Sequence, residues 1–156
     1  MMTKQALRVH IRWMIRRDMP EVLEIERQGF DSSWAEEDFL NCLRHRNVIG
    51  TIAECGERVI GFMIYELYRT KLHIINCAVH QDWRRQGVGA QLVGNIVQKL
   101  SSHGRRHITV DVGEMNLDAQ LFFRHLGFRA AHIMRGYYED TGQDAYRMRY
   151  SLEEYP

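Results

Sequence analysis

The chain has 156 residues, a formal net charge of +1, 45% hydrophobic and 26% charged residues. This is the composition of an ordinary soluble domain, long enough to remove about two-thirds of its unfolded surface from water. It excludes a disordered or collagen-like chain, supplies no global field toward nucleic acid or a membrane, and contains no stretch near the ~20 apolar residues of a membrane span.

Met1 to Ala6 reads as a flexible N-terminus, and one domain is expected over 7–156. Val9, Ile11, Trp13 and Ile15 alternate with basic or polar residues, the pattern of a strand. Arg12, Arg16 and Arg17 read as a solvated face. Asp18 is the expected N-cap of a helix that runs through Val22, Leu23, Ile25 and Glu26 to Gly29. Asp31-Ser32-Ser33 opens a second helix, with Trp34, Phe39 and Leu43 as its buried stripe. Val48–Cys55 and Val59–Tyr68 read as a hairpin turning at Gly56, and Leu72–Val79 as a further strand.

A polar, glycine-bearing stretch follows, Arg84-Arg85-Gln86-Gly87-Val88-Gly89-Ala90. It leads into a helix that buries Val88, Leu92, Val93, Ile96, Val97 and Leu100 and stops near Gly104. Ile108, Val110 and Val112 mark the next strand. Asp118 is the expected cap of a helix carrying Ala119, Phe122, Phe123 and Leu126. Two strands, Phe128–Tyr138 and Asp144–Leu152, close the chain. Hairpins come first and β-α-β units later, so the sheet is mixed.

Two glycines between a strand and an amphipathic helix let the backbone come close to a ligand. The first-turn N–H groups and the helix dipole then make a cradle for a pyrophosphate, with Arg84 and Arg85 at its mouth. A glycine pair also occurs where it only shapes a turn. The stretch matches neither a Walker A loop nor G-x-G-x-x-G.

Arg84-Arg85-Gln86-Gly87-Val88-Gly89 resembles the R/Q-x-x-G-x-G/A motif of the GCN5-related N-acetyltransferase (GNAT) family, and the element order from about Ile11 to Leu152 follows that family. Further stretches resemble its ribosomal-protein alanine N-acetyltransferase branch: Gly29-Phe30-Asp31-Ser32-Ser33-Trp34, Asn76-Cys77-Ala78-Val79, Asn116 with Leu126-Gly127-Phe128, and Arg135-Gly136-Tyr137-Tyr138. The resemblance implies a single-domain α/β (α+β) fold, with a mixed, mostly antiparallel central sheet flanked by helices.

It also implies that acetyl-CoA is the cosubstrate and that an amine attacks the thioester directly. Cys77, Ala78 and Val79 would run beside the pantetheine arm, the backbone from Arg85 to Ala90 would hold the pyrophosphate, and Asn116 would touch the arm. Asp111 falls where the family has a glutamate base, and its shorter side chain calls for a bridging water. Phe123 falls where the family has an acid tyrosine, beside the cofactor, and has no proton to give. Glu26, Trp34, Tyr137 and Tyr138 would wall the acceptor cleft, although Glu26 also fits a solvated helix position and the tyrosines fit strand-end packing.

The expected reaction is acetylation of a protein or peptide N-terminal α-amine. Transfer to a lysine or small amine is the alternative within the class. A non-catalytic acetyl-CoA-binding module is the alternative outside it, favoured by Phe123 and opposed by Asp111. Three cysteines, Cys42, Cys55 and Cys77, without C-x-x-C spacing form neither a disulfide framework nor a zinc site, which points to a reducing cytoplasm. His103 and His107 are separated by Gly104 and share no helix face, so no metal is expected. Nor are nucleic-acid or membrane partners, and an edge strand leaves the state between monomer and weak dimer.

Overall fold

The computed structural model describes residues 7–29 and 33–152. The expectations for Met1 to Ala6 and for Phe30 to Ser32 lie outside the described residues, as does the stretch 153–156 of the expected domain.

Strand β1 (His10–Trp13) leads through a short 3-10 turn to helix α1 (Met19–Gly29) and helix α2 (Glu36–Leu43). Three strands follow, β2 (Val48–Cys55), β3 (Arg58–Leu67) and β4 (Lys71–Val79). Helix α3 (Val88–Ser102), β5 (His107–Gly113), α4 (Leu117–His125), β6 (Arg129–Met134) and β7 (Ala145–Ser151) complete the order. All lie in or on one sheet of order β1-β2-β3-β4-β5-β7-β6. Only β4 and β5 pair in parallel, as a crossover through α3 requires.

The two faces of the sheet carry separate cores. On one, α3 buries Val88, Leu92, Val93, Ile96 and Leu100 against Ile60, Met63, Leu72, Ile74 and Ile108, joined by Phe123 of α4 and by Phe128. On the other, Val22 and Ile25 of α1 and Phe39 of α2 meet Ile52, Phe62 and Ile64. Fully buried side chains such as Leu92 and Ile96 each contribute about 2–3 kcal/mol by leaving water. The helical periods read from the sequence are the periods the core uses.

Several local expectations need correcting. Asp18 does not cap α1; it ends the 3-10 turn, 2% exposed, accepting from the Ile15 N–H at 2.8 Å and from Arg12 Nη1 and Nη2 at 2.8 Å each. Arg12 is therefore no solvated charge: it bridges Asp18 and Glu54, its Nε donating to Glu54 at 3.1 Å. Helix α2 opens at Glu36, where the Asp38 carboxylate reaches back to the Ala35 N–H at 2.9 Å. Helix α4 is capped by Asn116, whose Oδ1 accepts from the Ala119 N–H at 3.2 Å, and Asp118 sits in its first turn. Strand β6 stops at Met134, before the left-handed Gly136.

Candidate active site

The parallel pairing of β4 with β5 covers only Lys71–Ile74 opposite His107–Val110. On its other side β4 stays paired with β3 as far as Val79. A bulge marks the point of separation: Ile64 faces Asn76 and Tyr65 faces Ile74, so Ile75 is an extra residue. An extra residue bends a strand. Beyond it, the β4 edge from Ile75 to Val79 presents main-chain groups that β5 does not take. The bulge also changes which side chain faces where. Ile74 and Cys77 join the α3 core, while Ile75 packs in the α1 core and Asn76 reaches Glu26 of α1.

The gap between the strands is a cavity of about 400 Å³. Glu26, Trp34, Cys77, Asp111, Asn116, Phe123, Tyr137 and Tyr138, all named from the sequence, line it together with His73. Ala78, Val79 and the stretch Arg84 to Ala90 are not in its wall. They continue from it along the exit of β4 toward α3.

That exit is tightly built. His80, 5% exposed, accepts from the Asp82 N–H through Nδ1 and meets Gln28 of α1 at 3.1 Å through Nε2. Arg84 Nε donates to the Val79 carbonyl at 3.1 Å. Gly87, at φ +81, is the left-handed residue before α3. The first bond of the helix ladder runs from the Gln91 N–H to the Gly87 carbonyl at 3.1 Å. The N–H groups of Val88, Gly89 and Ala90 therefore lie outside the ladder, ready for an anion. α4 packs against Gly89, where a Cβ would lie 3.0 Å from Phe122 Cζ. The free β4 edge and this helix start fit the extended arm and the pyrophosphate of acetyl-CoA.

Asp111 on β5 stands opposite Arg147 on β7. Arg147 donates to both carboxylate oxygens, Nε to Oδ1 at 2.8 Å and Nη2 to Oδ2 at 2.9 Å. Burial pushes the Asp111 carboxyl up, but Arg147, with help from His73 and the Tyr137 hydroxyl, outweighs burial and holds it below its ordinary value. A carboxylate so paired is a weaker base than a free one.

Glu26 is the opposite case. It is 1% exposed, accepts from the Trp34 N–H at 3.2 Å and from Asn76 Nδ2 at 3.0 Å, and has no ion-pair partner among the described residues. Burial raises its pKa, and the Trp34 and Asn76 bonds oppose this. It is not a solvated helix residue. Cys77 is packed, with its thiol pushed up to about 12 by burial, and is no nucleophile. Phe123 stacks edge-on between Phe122 and Phe128.

Sequence reasoning missed His73, His80, Gln91 and Arg147. Gln91 holds the first strand's approach, accepting from the Val9 N–H at 3.2 Å. Arg147 is visible only once β7 is registered against β5, a pairing 36 residues apart.

A sequence model described as the acetyltransferase (GNAT) family matches residues 10–128. The chain is 27% identical over 124 residues to the [ribosomal protein bS18]-alanine N-acetyltransferase of Escherichia coli (strain K12), covering 80% of this chain and 83% of that protein. It is 26% identical over 155 residues to the putative [ribosomal protein bS18]-alanine N-acetyltransferase of Bacillus subtilis (strain 168), covering 99% of this chain and 100% of that one. The crystal structure of the ribosomal-protein-S18-alanine N-acetyltransferase from Escherichia coli superposes with a TM-score of 0.83 at 24% identity, covering 96% of this chain and 97% of that chain. The match spans the sheet through β5, the glycine-bearing loop and α4, and it makes this chain a member of the acetyltransferase (GNAT) family, an acetyl-CoA-dependent N-acetyltransferase.

Proposed function

We propose that the acceptor is the α-amine of a protein or peptide N-terminus, as the names of the relatives suggest. The observation that carries this reading is the contrast between the cavity's two carboxylates. Asp111 is charge-compensated by Arg147, whereas Glu26 has no ion-pair partner among the described residues. A buried, uncompensated carboxylate suits an arriving ammonium group. Trp34, Tyr137 and Tyr138 form the apolar and hydroxyl-bearing walls around it.

The protonation arithmetic supports the same acceptor. An α-amine titrates near 7.7–8.0 and is about a tenth neutral at pH 7; a lysine amine, near 10.4, is less than about a thousandth neutral. A cavity whose aspartate is tied to arginine, and whose acid position holds Phe123, suits the amine that is easier to deprotonate.

In this reading the main-chain edge of Cys77, Ala78 and Val79 takes the pantetheine arm. Arg84 and Arg85, with the backbone from Gln86 through Gly87, Val88 and Gly89 to Ala90, take the pyrophosphate. Asn116 uses its carbonyl as the α4 cap and offers its amide to the arm, and Phe123 packs beside the thioester. Acetyl-CoA supplies the activated acetyl group. Holding amine and carbonyl in contact accounts for much of the acceleration. A main-chain N–H near Val79 polarises the carbonyl, and Asp111 contributes a fixed negative charge beside the amine. The three free cysteines, Cys42, Cys55 and Cys77, support a cytoplasmic setting, and the monomer or weak dimer is retained.

The test is acetyl transfer, read by mass spectrometry, to peptides with free N-termini, N-terminally blocked lysine peptides, polyamines and aminoglycosides. Product on free N-termini supports the reading; product only on lysines or small amines contradicts it.

A further inference from the structure

We propose that His73 accepts the proton of the incoming amine, and that Asp111, tied to Arg147, is the positioning residue behind it. This rests on the amine-acetylating reading of the same cavity.

One cavity wall brings together every side chain that could take the proton. Its titratable members are Glu26, His73, Cys77, Asp111, Tyr137 and Tyr138. Burial keeps the Cys77 thiol and both tyrosine hydroxyls protonated at neutral pH. Asp111 has both oxygens bonded to Arg147. Glu26 has both oxygens bonded to Asn76, one of them also to Trp34.

Among the described residues, the His73 Nε2 has no hydrogen-bond partner. It sits on β4 just before the bulge. Its Nδ1 meets the buried Thr109 hydroxyl at 2.7 Å, while its Nε2 stands 3.8 Å from Asp111 Oδ2, beyond hydrogen-bond reach. The proposed tautomer is the one in which Nδ1–H donates to the Thr109 hydroxyl, which leaves the lone pair on Nε2.

The groups around it set its charge. Asp111 of β5 and Glu66 of β3, its cross-strand neighbour, favour the imidazolium; Arg147 of β7 and Lys71 of its own strand oppose it. Across the cavity stand Glu26, Tyr137 and Tyr138. Burial is the largest influence and lowers the pKa below the ordinary value, so the ring is neutral and basic at pH 7.

The acceptor ammonium gives one proton to Nε2, and the imidazolium formed faces the Asp111 carboxylate. The neutral amine forms a C–N bond to the thioester carbonyl carbon. The C–S bond breaks with its electron pair on sulfur. The surplus nitrogen proton passes to that sulfur, and His73 releases its own proton to water. No oxidant or reductant takes part.

Two readouts test this on the full chain. The first is NMR of 15N-labelled histidine, with the His73 signal assigned by its loss in His73→Gln. The expected result is an Nδ1–H tautomer with a pKa below 6.5 that falls further in Asp111→Asn. An Nε2–H tautomer, or a pKa indifferent to Asp111→Asn, overturns the proposal.

The second readout is the pH profile of kcat/KM, measured on whichever amine the wild type acetylates. If that amine is a lysine or a polyamine, the N-terminal reading fails while the His73 comparison still stands. His73→Gln keeps an amide for Thr109 and is expected to bind acetyl-CoA normally by calorimetry, lose about 10²-fold in kcat/KM and lose the acidic limb of the profile. Asp111→Asn keeps that limb, shifted to lower pH. A His73→Gln variant within threefold of wild type, or a limb that survives His73→Gln and vanishes in Asp111→Asn, overturns the proposal. Should His73→Gln fail to bind acetyl-CoA, the wild-type titration decides alone.

Discussion

Asp111 and Arg147 are cross-strand neighbours on β5 and β7, joined by two charge-assisted hydrogen bonds of 2.8 and 2.9 Å. The Asp111 side chain is 6% exposed and that of Arg147 29%. Removing the arginine leaves a buried carboxylate without its counter-charge. We expect Arg147→Met to lose about 2 kcal/mol at pH 7, below the cost for a fully buried pair because Arg147 is partly screened by water. The sign with pH follows from the lowered Asp111 pKa. The pair's contribution is fully present above the unfolded aspartate value, near 3.9, and is lost as pH falls through the folded value. Urea unfolding at several pH values checks this: the gap between wild type and variant should close in acid, and a gap independent of pH refutes the ion-pair account.

Glu26 gives the opposite dependence. Burial raises its folded pKa, so neutralising it favours folding, and stability from the protonated form is lost as pH rises through that value. Glu26→Gln should therefore raise the stability of the ligand-free protein at pH 7 by about 1 kcal/mol. The Gln oxygen can still accept from Trp34 and Asn76. The same change should raise the KM for the acceptor about tenfold with a smaller effect on kcat. Thermal unfolding and steady-state kinetics on one preparation test both halves; a lower melting temperature with unchanged KM contradicts the assignment.

Gly89 of α3 packs against Phe122 of α4. A methyl group there meets Phe122 Cζ at 3.0 Å, so either the helix start or the ring must move. Gly89→Ala should weaken acetyl-CoA binding about tenfold by displacing the N–H groups of the first turn. Adding Phe122→Leu should restore part of it. Calorimetric titration with acetyl-CoA reads both; unchanged affinity in Gly89→Ala shows that the ring, and not the helix start, gives way, and contradicts the prediction.

Phe123 lines the cavity from α4 and offers no proton to a departing thiolate. Phe123→Tyr should raise kcat several-fold, since a hydroxyl placed in the cavity can protonate sulfur as the C–S bond breaks. Stopped-time assays of acetyl transfer at saturating substrate check this. An unchanged or lower kcat shows that protonation of sulfur does not limit the wild type.

The regular elements were largely legible because they follow local periods. The apolar stripe of α3 and the alternation of Ile108, Val110 and Val112 needed no knowledge of the rest of the chain. The loop proposed to hold the cofactor could be located for the same reason, being a run of backbone and glycine between one strand and the next helix. The acceptor half was not. The bulge at Ile75, which turns Asn76 toward Glu26, carries no glycine or proline to announce it. The partners of Asp111 and His73 lie on other strands, at registers set only when the sheet assembles. Asp18 shows the converse hazard: a residue type suited to capping is instead buried and paired with Arg12.

The central claim is that this cavity acetylates an N-terminal α-amine in preference to a lysine. The most direct measurement uses one peptide bearing a free N-terminus and an internal lysine, incubated with the protein and acetyl-CoA, with the modified position located by tandem mass spectrometry. The account predicts acetyl on the N-terminal residue and none on the lysine. Acetyl on the lysine alone, with the N-terminus untouched, would contradict it.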